Sequence, residues 1–319
     1  MKLLVSWIRE HGTYVSREFH YTMQDLLQAH GWRHVEPWVL SQHAASPRER
    51  LLEIAGKVPE VVLFWETYEL FNAIQPALRD LGCRLALFAD DLHLLWGHES
   101  KRDAKLWAFS ECDRLLTSYA YVFDEFYPEL HNRKTAIWIP HAASPDFVLP
   151  FNHRPENAIL LSGFIGPLYP LRTRMKELQQ EGRHAIVRHE HPGYGEGYDY
   201  TCDARVGAGY ANTIHRFKAG FTDALTFRYI VAKHFEIPAT GALLVADGVV
   251  REPLRELGFI ENVHYVPVSA DNIEEKIGYV LNERNSAEID EIRQRGQDLV
   301  LRAHRTCHRA KLIDEVCTA

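Results

Sequence analysis

Short apolar runs alternate with amphipathic stretches along the first half of the chain. The apolar runs predict strands at residues 2–7, 34–39, 61–65, 84–89, 114–117 and 135–139. The stretches between them repeat apolar positions at helical spacing, which predicts helices near residues 16–30, 47–55, 70–81, 101–110 and 122–130. Such alternation of strands and helices is typical of a parallel, doubly wound sheet.

The same alternation restarts after an interruption. Residues 140–155 contain four prolines and no apolar periodicity, so this segment is interpreted as a linker. Strands are then predicted at residues 158–162, 184–187, 218–221, 242–246 and 264–266, with helices near 168–180, 227–235, 250–257, 272–282 and 287–316. The pattern predicts an α/β protein with two Rossmann-like domains that face each other across a cleft, residues 1–150 and 151–304.

Composition narrows the possible functions. The formal net charge is −7 and no basic face is evident, so nucleic acid is not an expected partner. No apolar run approaches the roughly 20 residues of a spanning helix, so no integral membrane segment is expected. The five cysteines are widely spaced and odd in number, which favours reduced thiols and a cytoplasmic protein.

The most informative segment is Lys233-His-Phe-Glu-Ile-Pro-Ala-Thr-Gly241, which precedes an apolar strand. A helix-to-strand junction is interpreted here as part of the sheet rim where ligands bind. Glu236 could accept hydrogen bonds from the two vicinal hydroxyls of a ribose, with the basic Lys233 one turn away. The competing interpretation is a carboxylate near a helix end that faces water, where the helix dipole disfavours it.

This segment resembles the nucleotide-sugar signature of GT-B glycosyltransferases, in particular glycosyltransferase group 1 and the spore maturation protein CgeB-like group. That pattern runs Arg-x-Phe-Glu-x-x-Ala-x-Gly and continues into an apolar strand. The resemblance is strongest from residue 158 to the end, where His304-Arg-Thr-Cys-His-Arg309 is similar to a further landmark. Two positions differ from the pattern: Lys233 replaces an arginine, and Arg228 stands where many relatives carry a first glutamate.

The resemblance implies a GT-B fold and transfer of a sugar from a nucleoside-diphosphate sugar to an unidentified acceptor, which could be a small molecule, a glycan or a protein. It also implies that residues 305–319 form a terminal helix that returns to the first domain. The nucleotide sugar is a co-substrate, and no cofactor is expected. An epimerase acting on nucleotide sugars and a catalytically degenerate binding module on the same fold remain open as alternatives.

Basic residues and a glycine-containing turn are candidates for holding the diphosphate. Cationic side chains and helix N-termini stabilise a leaving diphosphate in such enzymes, usually without a metal ion. Backbone N–H groups of the Ser-Gly-Phe-Ile-Gly turn that begins at Ser162 could face the phosphates. The nucleotide-sugar candidates are Glu236, Lys233, Arg172, Ser162, Gly163, Lys218, Arg228 and Gly241. For each basic residue, a solvated helix face is the competing interpretation.

Polar residues follow three predicted strands of the first domain. Asp90, Asp91 and His93 are the catalytic candidates, as a base in an inverting mechanism or, for His93, as a contact to the donor sugar in a retaining one. A loop for acceptor or donor sugar is predicted at His11, Gly12, Thr13, Glu66 and Tyr68, with Ser16 as an N-cap of the next helix. Helix capping and a simple strand-to-helix turn are the competing interpretations.

No metal site is expected. The chain lacks the Asp-x-Asp pair of metal-dependent glycosyltransferases. His189 and His191, and His304 and His308 at helical spacing, lack a third ligand at standard spacing. His189, His191 and Tyr194 could instead line the cleft.

Overall fold

The first sheet carries six parallel strands. The computed structural model describes residues 1–41, 46–94, 99–193 and 197–319, which leaves Tyr194 outside the described residues. The sheet has the order β2-β1-β3-β4-β5-β6. Its strands are β1 (Lys2–Val5), β2 (Trp32–Val35), β3 (Val61–Trp65), β4 (Arg84–Ala89), β5 (Arg114–Thr117) and β6 (Ala136–Trp138).

The second sheet carries five parallel strands in the order β11-β10-β9-β7-β8. They are β7 (Glu156–Ser162), β8 (Ile186–His189), β9 (Phe217–Thr222), β10 (Leu243–Asp247) and β11 (Val266–Val268). Strands of parallel sheets are buried on both faces and read as continuous apolar runs. All five residues of β3, for example, are buried. The predicted α/β fold is confirmed.

Helices connect these strands and cover the sheets. Those preceding β7 are α1 (Ile8–His11), α2 (Glu18–Ala29), α3 (Pro37–Ser41), α4 (Pro47–Ala55), α5 (Tyr68–Arg79), α6 (Glu99–Glu111) and α7 (Phe123–Phe126). Those following β7 are α8 (Pro170–Glu181), α9 (Gly207–His215), α10 (Lys233–Ala239), α11 (Arg251–Glu256), α12 (Ile273–Leu281), α13 (Ser286–Ala303) and α14 (Thr306–Thr318). Short 3-10 turns lie at Ala120–Val122, Pro128–Leu130, Pro145–Phe147, Gly248–Val250 and Glu283–Asn285.

The chain forms two compact units. Unit 1 consists of Met1–Gly12, Phe19–Pro140 and Cys307–Ala319, and unit 2 of Thr13–Glu18 and His141–Thr306. The division therefore falls at 140 rather than 150, so most of the proline-containing segment interpreted as a linker belongs to unit 2. In unit 1, α14 places Ala310, Ile313 and Cys317 in the core of the first sheet. The assignment of Thr13–Glu18 to unit 2 has no counterpart in the sequence patterns.

Two helix predictions in the second half were wrong. The helix expected at 227–235 begins only at Lys233, because Leu225 and Arg228 adopt left-handed backbone angles, with φ of 57° and 58°, that break a right-handed helix. The long helix expected at 287–316 is interrupted at His304. There the amide of Ala143 donates to the His304 carbonyl, and the amide of Thr306 donates to the Ala143 carbonyl.

Candidate functional site

The strand order of unit 2 locates a ligand-binding edge. Strand β7 lies between β8 and β9. The strand that follows β7 in the chain therefore pairs on one side of it, and the later strands pair on the other side. Ligands of open α/β sheets bind beyond the carboxyl ends of the strands at such a switch point. Here the switch point is formed by Ser162 and Gly163 after β7 and by Thr222 and Asp223 at the end of β9.

A glycine and two cations meet at this switch point. Gly163 has a φ of +95°, and a Cβ built on it would lie 2.9 Å from Arg172 Nη1 and 3.3 Å from Lys233 Cε. Arg172 is buried, donates from Nη1 to the Phe164 carbonyl at 3.1 Å and pairs with Asp223 at 3.1 Å. Only glycine therefore fits the turn, which lies directly against both basic side chains.

The side chain of Asp223, which follows β9, lies against the N-terminus of α8, the helix that follows the turn. Helix α8 begins at Pro170, and the amide of Arg172 in its first turn donates to the Asp223 carboxylate at 3.1 Å. Burial raises the pKa of Asp223, while Arg172 opposes that rise. The helix N-terminus that was expected to face phosphate is thus occupied in part by a protein carboxylate. The turn and the side chains of Lys233 and Arg172 stay the candidates for phosphate contact.

An aromatic stack lies beside Lys233. The hydroxyl groups of Ser162 and Tyr210 are 2.6 Å apart, and the Tyr210 ring stacks on His189 with ring centres 5.7 Å apart. Lys233 Nζ lies 5.3 Å from the centre of the Tyr210 ring. Burial, with help from Lys233 and Arg172, lowers the pKa of His191 to about 4, so this ring is neutral near pH 7. Lys233 and Arg172 are therefore the cations of the switch point.

Glu236 is buried. It lies in the first turn of α10 with 1% of its surface exposed, which contradicts the interpretation of a water-facing carboxylate at a helix end. Burial raises its pKa to about 7, against the effect of Lys233. The Ser16 side chain hydrogen-bonds the carboxylate, yet Oε1 has no hydrogen-bond partner among the described residues. A buried oxygen without a partner is costly, and a ligand hydroxyl would satisfy it.

A second acceptor without a partner lies on the same helix. His234 is fully buried, which lowers its pKa to about 3 and keeps the ring neutral. Its Nδ1 donates to the Val231 carbonyl at 3.1 Å, so Nε2 is the acceptor, and it has no partner within the described part of the chain. Glu236 and His234 both lie near His141. Hydroxyl donors of a ligand are the chemical complement of these two acceptors.

The segment Thr13–Glu18 contributes residues to the surroundings of Glu236 within unit 2. Glu18 is buried, accepts from the Ala142 amide at 2.6 Å and lies 2.8 Å from His141 Nδ1. Arg17 pairs with Asp146 at 2.7 Å and lies over the Tyr200 ring. The segment thereby brings Ser16 and Glu18 to Glu236. Sequence reasoning missed both residues and His141, because no local pattern connects positions so far apart in the chain.

The strand order of unit 1 locates a second edge of the same kind. Strand β1 lies between β2 and β3, which places the switch point after Val5 and Trp65. His11, Glu66 and Tyr68 follow these two strands. Asp90, Asp91 and His93 follow the adjacent strand β4, so the topology brings the candidate residues of unit 1 to one edge.

These side chains interact with one another. Burial raises the pKa of Glu66 to about 8, and the nearby carboxylates of Asp90 and Asp91 add to that rise. His93 Nδ1 lies 3.7 Å from Asp91, and burial lowers the pKa of His93. Lys105, on α6, donates to the Asp91 carbonyl at 2.5 Å and was not anticipated from the sequence.

His11 contributes a neutral ring to this edge. It is 4% exposed and packs edge-on against Phe19 and Trp65. Burial lowers its pKa to about 4. Gly12 ends α1 with ordinary right-handed angles, and Thr13 already belongs to unit 2. Ser16 was expected to be the N-cap of the next helix. That helix, α2, begins at Glu18, so Ser16 lies too early in the chain to cap it.

Comparisons with known proteins agree with this architecture. Residues 172–315 match the family model described as glycosyl transferase-like, which includes Arg172, Lys233 and Glu236. Structures over the full chain are similar as well. Anabaena Alr3699/HepE, solved with UDP and glucose, has 10% identity and a TM-score of 0.59, with 99% of each chain covered. The chain has the GT-B fold, and residues 172–315 resemble glycosyl transferase-like proteins.

Two further structures resemble this chain. An alpha-glucosyltransferase solved with UDP-glucose and DNA has 11% identity and a TM-score of 0.60, covering 100% of this chain and 98% of its own. A glycosyltransferase from Rickettsia africae ESF-5 has 12% identity and a TM-score of 0.55, and the match covers 99% of this chain and 97% of that protein. No curated protein matches the sequence significantly. The narrower resemblance to CgeB-like proteins stays a prediction.

Two nucleotide-site candidates, Lys218 and Gly241, lie toward the amino edge of the second sheet. Lys218 is the second residue of β9, roughly 13 Å before the carboxyl end at 3.3 Å per residue, and its Nζ lies 3.4 Å from Ser286. Gly241 follows α10 and precedes β10, and its carbonyl accepts from Arg293. A helix-to-strand junction leads to the amino ends of the strands, whereas ligands of open α/β sheets bind beyond the carboxyl ends, so neither residue lies at the switch point.

Three further candidates are Arg228, His304 and His308. Arg228 is exposed in the turn after β9. His304 caps the end of α13 and His308 belongs to α14, so they do not share one helix face as expected. In the described ranges no three His, Cys, Asp or Glu side chains are placed to hold a metal ion, and no helix is long and apolar enough to cross a membrane.

Proposed function

We propose that the enzyme transfers a sugar from a uridine-diphosphate sugar to an acceptor held by unit 1, without a divalent metal. The observation that carries the donor assignment is Glu236, a buried carboxylate with one oxygen lacking a partner, beside Lys233 at the switch point. A ribose offers two adjacent hydroxyl donors to such a group. The similar structures that were solved with UDP or UDP-glucose favour uridine as the base.

The diphosphate is assigned to the turn after β7. Gly163 allows backbone N–H groups to approach the phosphates closely, and its surroundings are basic. Arg172 shares its charge with Asp223, so Lys233 supplies most of the positive charge to the ligand. When the bond to the sugar breaks, charge grows on the diphosphate. Fixed cations at that point lower the barrier most if they are in place before reaction.

The acceptor is assigned to the switch point of unit 1. In an inverting reaction Asp90 or Asp91 removes the proton from the acceptor hydroxyl. In a retaining reaction His93, whose lowered pKa keeps it neutral, steadies the donor sugar. An acidic protein with a net charge of −7 is a poor partner for a polyanion, so the proposed acceptor is not a nucleic acid.

Transfer activity separates this proposal from the alternatives. The test incubates the protein with UDP-glucose and other UDP sugars, each with and without a panel of acceptors, and follows UDP release together with product mass. Acceptor-dependent UDP release supports a transferase. Isomerised UDP sugar without acceptor identifies an epimerase, and tight UDP-sugar binding with no turnover across the panel identifies a binding module.

The affinity for UDP-glucose is expected to rise with pH between 6 and 8. Glu236 accepts from ribose most strongly as a carboxylate, and with a pKa of about 7 it is mostly protonated at pH 6. The affinity should fall by roughly tenfold from pH 8 to pH 6, since one pH unit below the pKa leaves about a tenth of the group ionised. The diphosphate diester of the ligand does not titrate in this range.

The same titration in Glu236→Gln provides the control for that pH dependence. The variant lacks the titrating group but keeps Glu18, Lys233 and His141 around it. Its affinity for UDP-glucose should be weak and nearly independent of pH. An equal pH slope in both proteins would assign the effect to another group.

Turnover is expected to survive chelation of divalent metals. Arg172 and Lys233 supply positive charge at the proposed diphosphate site, and Asp-x-Asp is missing from the sequence. UDP release in the presence of excess EDTA should therefore match the untreated rate. Loss of the rate in EDTA that magnesium or manganese restores would contradict metal-independent transfer.

A further inference from the structure

His234 lies on the face of α10 that packs against β9. Ile237 is one turn later on that face, and a Cβ built on Gly220 of β9 would lie 3.0 Å from its side chain. Because α10 connects the parallel strands β9 and β10, it runs back from the carboxyl edge of the sheet to the amino edge. His234 therefore lies about 4.5 Å nearer to the carboxyl edge than Ile237 does, at the level where β9 ends with Thr222.

Arg172 connects this position to the turn after β7. Its Nη2 donates to the Thr222 hydroxyl at 3.2 Å, and its Nη1 lies 2.9 Å from a Cβ built on Gly163. Arg172 also acts electrostatically on His234, which agrees with the position that the helix geometry gives to the ring. The ring of His234 thus lies beside the cation that holds the proposed diphosphate site.

Glu236 lies on a different face of the same helix. Residues two apart on a helix do not face each other, whereas Lys233 and Glu236, three apart, do. The groups that act on Glu236 accordingly include Lys233, Ser16 and Glu18, none of which acts on His234. The two buried acceptors of α10 are therefore directed to different parts of a ligand.

The chemistry of the His234 ring selects a hydroxyl group rather than a phosphate. Nδ1 donates to the Val231 carbonyl at 3.1 Å, which leaves a lone pair on Nε2. Nε2 is buried and has no partner in the described part of the chain. Ionised phosphate oxygens only accept hydrogen bonds, so this lone pair repels them. A neutral hydroxyl next to the diphosphate is the complement of Nε2.

We propose that Nε2 of His234 accepts a hydrogen bond from a hydroxyl group of the transferred sugar, which makes His234 a specificity-determining residue for the donor. This inference rests on the proposed function, because it assigns a further part of the same donor. In a UDP sugar, the diphosphate joins the ribose to the transferred sugar. Since Glu236 is assigned to the ribose, the other ring is the one that His234 contacts beside Arg172. A donor without that hydroxyl would leave a buried acceptor unpaired, which is how such a site rejects an analogue.

Two substitutions separate Nε2 from the rest of the ring. His234→Asn keeps an amide donor near Nδ1 for the Val231 carbonyl but removes the acceptor at Nε2, whereas His234→Gln places an amide oxygen near Nε2. Calorimetry compares the binding of UDP with that of UDP-glucose, UDP-galactose and UDP-N-acetylglucosamine. We expect His234→Asn to lower the affinity for the tightest-binding of these sugars roughly tenfold, while the affinity for UDP stays within about twofold.

Two controls accompany the His234→Asn variant. His234→Gln should recover much of the lost affinity, because it restores an acceptor at Nε2. His153→Asn changes an exposed histidine of the same unit and should bind each ligand as the wild type does.

A measurement on the wild type does not depend on the folding of a variant. Analogues of the tightest-binding UDP sugar, each lacking one hydroxyl of the transferred sugar, are titrated into the unchanged protein. One analogue should bind roughly tenfold more weakly than the parent. His234→Asn should bind that analogue and the parent equally.

The outcomes separate this inference from the donor assignment. Equal losses of affinity for UDP and the UDP sugar in His234→Asn, or no loss for either, overturn the role of His234. A wild type that binds every deoxy analogue as tightly as the parent also overturns it. These results leave UDP binding in unit 2 standing. A wild type that does not bind UDP overturns the donor assignment, and this inference with it.

Discussion

Replacing Glu236 by Gln lowers the affinity for UDP by roughly ten- to a hundredfold. The variant keeps the shape of the side chain but removes the charge that accepts from the ribose hydroxyls. Hydrogen bonds to a charged partner contribute about 1.5–3 kcal/mol, which corresponds to that loss. Isothermal titration of UDP into both proteins measures the difference directly.

Two further readouts make the Glu236 result specific. Glu275→Gln, at an exposed position of α12 in the same unit, should bind UDP as the wild type does. Because burial raises the pKa of Glu236, its ionised form is costly in the folded protein, and the Gln variant should be at least as stable near pH 8. Unchanged UDP affinity in Glu236→Gln would remove this residue from the site.

Replacing Arg293 by Met destabilises the protein by about 3 kcal/mol or more. Arg293 is buried on α13, donates from Nε to the Gly241 carbonyl at 3.0 Å and from Nη2 to the Asn152 carbonyl at 2.8 Å. Each such bond from a charged donor contributes roughly 1.5–3 kcal/mol, and the substitution leaves the carbonyls of the buried Gly241 and the half-buried Asn152 without this partner. The midpoint of urea unfolding should fall accordingly.

The control for Arg293 lies on the same helix. Arg295 is exposed and forms a surface ion pair with Glu291 at 2.8 Å, an interaction that contributes about 0.3–0.5 kcal/mol between residues i and i+4. Arg295→Met should therefore unfold almost as the wild type does. Equal losses of stability in Arg293→Met and Arg295→Met would show that the buried guanidinium stabilises the protein no more than a surface ion pair does. Since Gly241 follows α10, Arg293→Met should also weaken UDP binding by loosening the helix that carries Glu236.

The sequence predicts those parts of the fold that depend on local patterns. Apolar runs such as residues 61–65 and 84–89 coincide with β3 and β4, because strands of parallel sheets are buried on both faces. The motif singles out Glu236, and its burial is consistent with the proposed binding role. Residues that directly follow strands, such as Gly163 and Asp90, are found because strand direction fixes the edge that they occupy.

Other parts depend on contacts between distant positions. Ser16, Glu18 and His141 come together because Thr13–Glu18 joins unit 2, which no local periodicity encodes. Lys105 reaches the Asp91 carbonyl from the middle of α6. The structure places Lys218 and Gly241 at the amino edge, because a residue at the start of a strand, or between a helix and the next strand, lies there. The break in the helix predicted at 227–235 reflects left-handed angles at non-glycine residues, which sequence patterns do not reveal.

Thermal unfolding in the presence of nucleotides tests the central claim most directly. The protein is unfolded alone and with UDP, UDP-glucose, ADP, GDP or CDP, each at increasing concentration. At a concentration of 100 times its Kd, a ligand that binds only the folded state stabilises it by about 2.7 kcal/mol. A donor site in unit 2 predicts a concentration-dependent rise in the unfolding temperature with UDP and UDP-glucose that Glu236→Gln largely abolishes. No shift with any nucleoside diphosphate or UDP-glucose would contradict it.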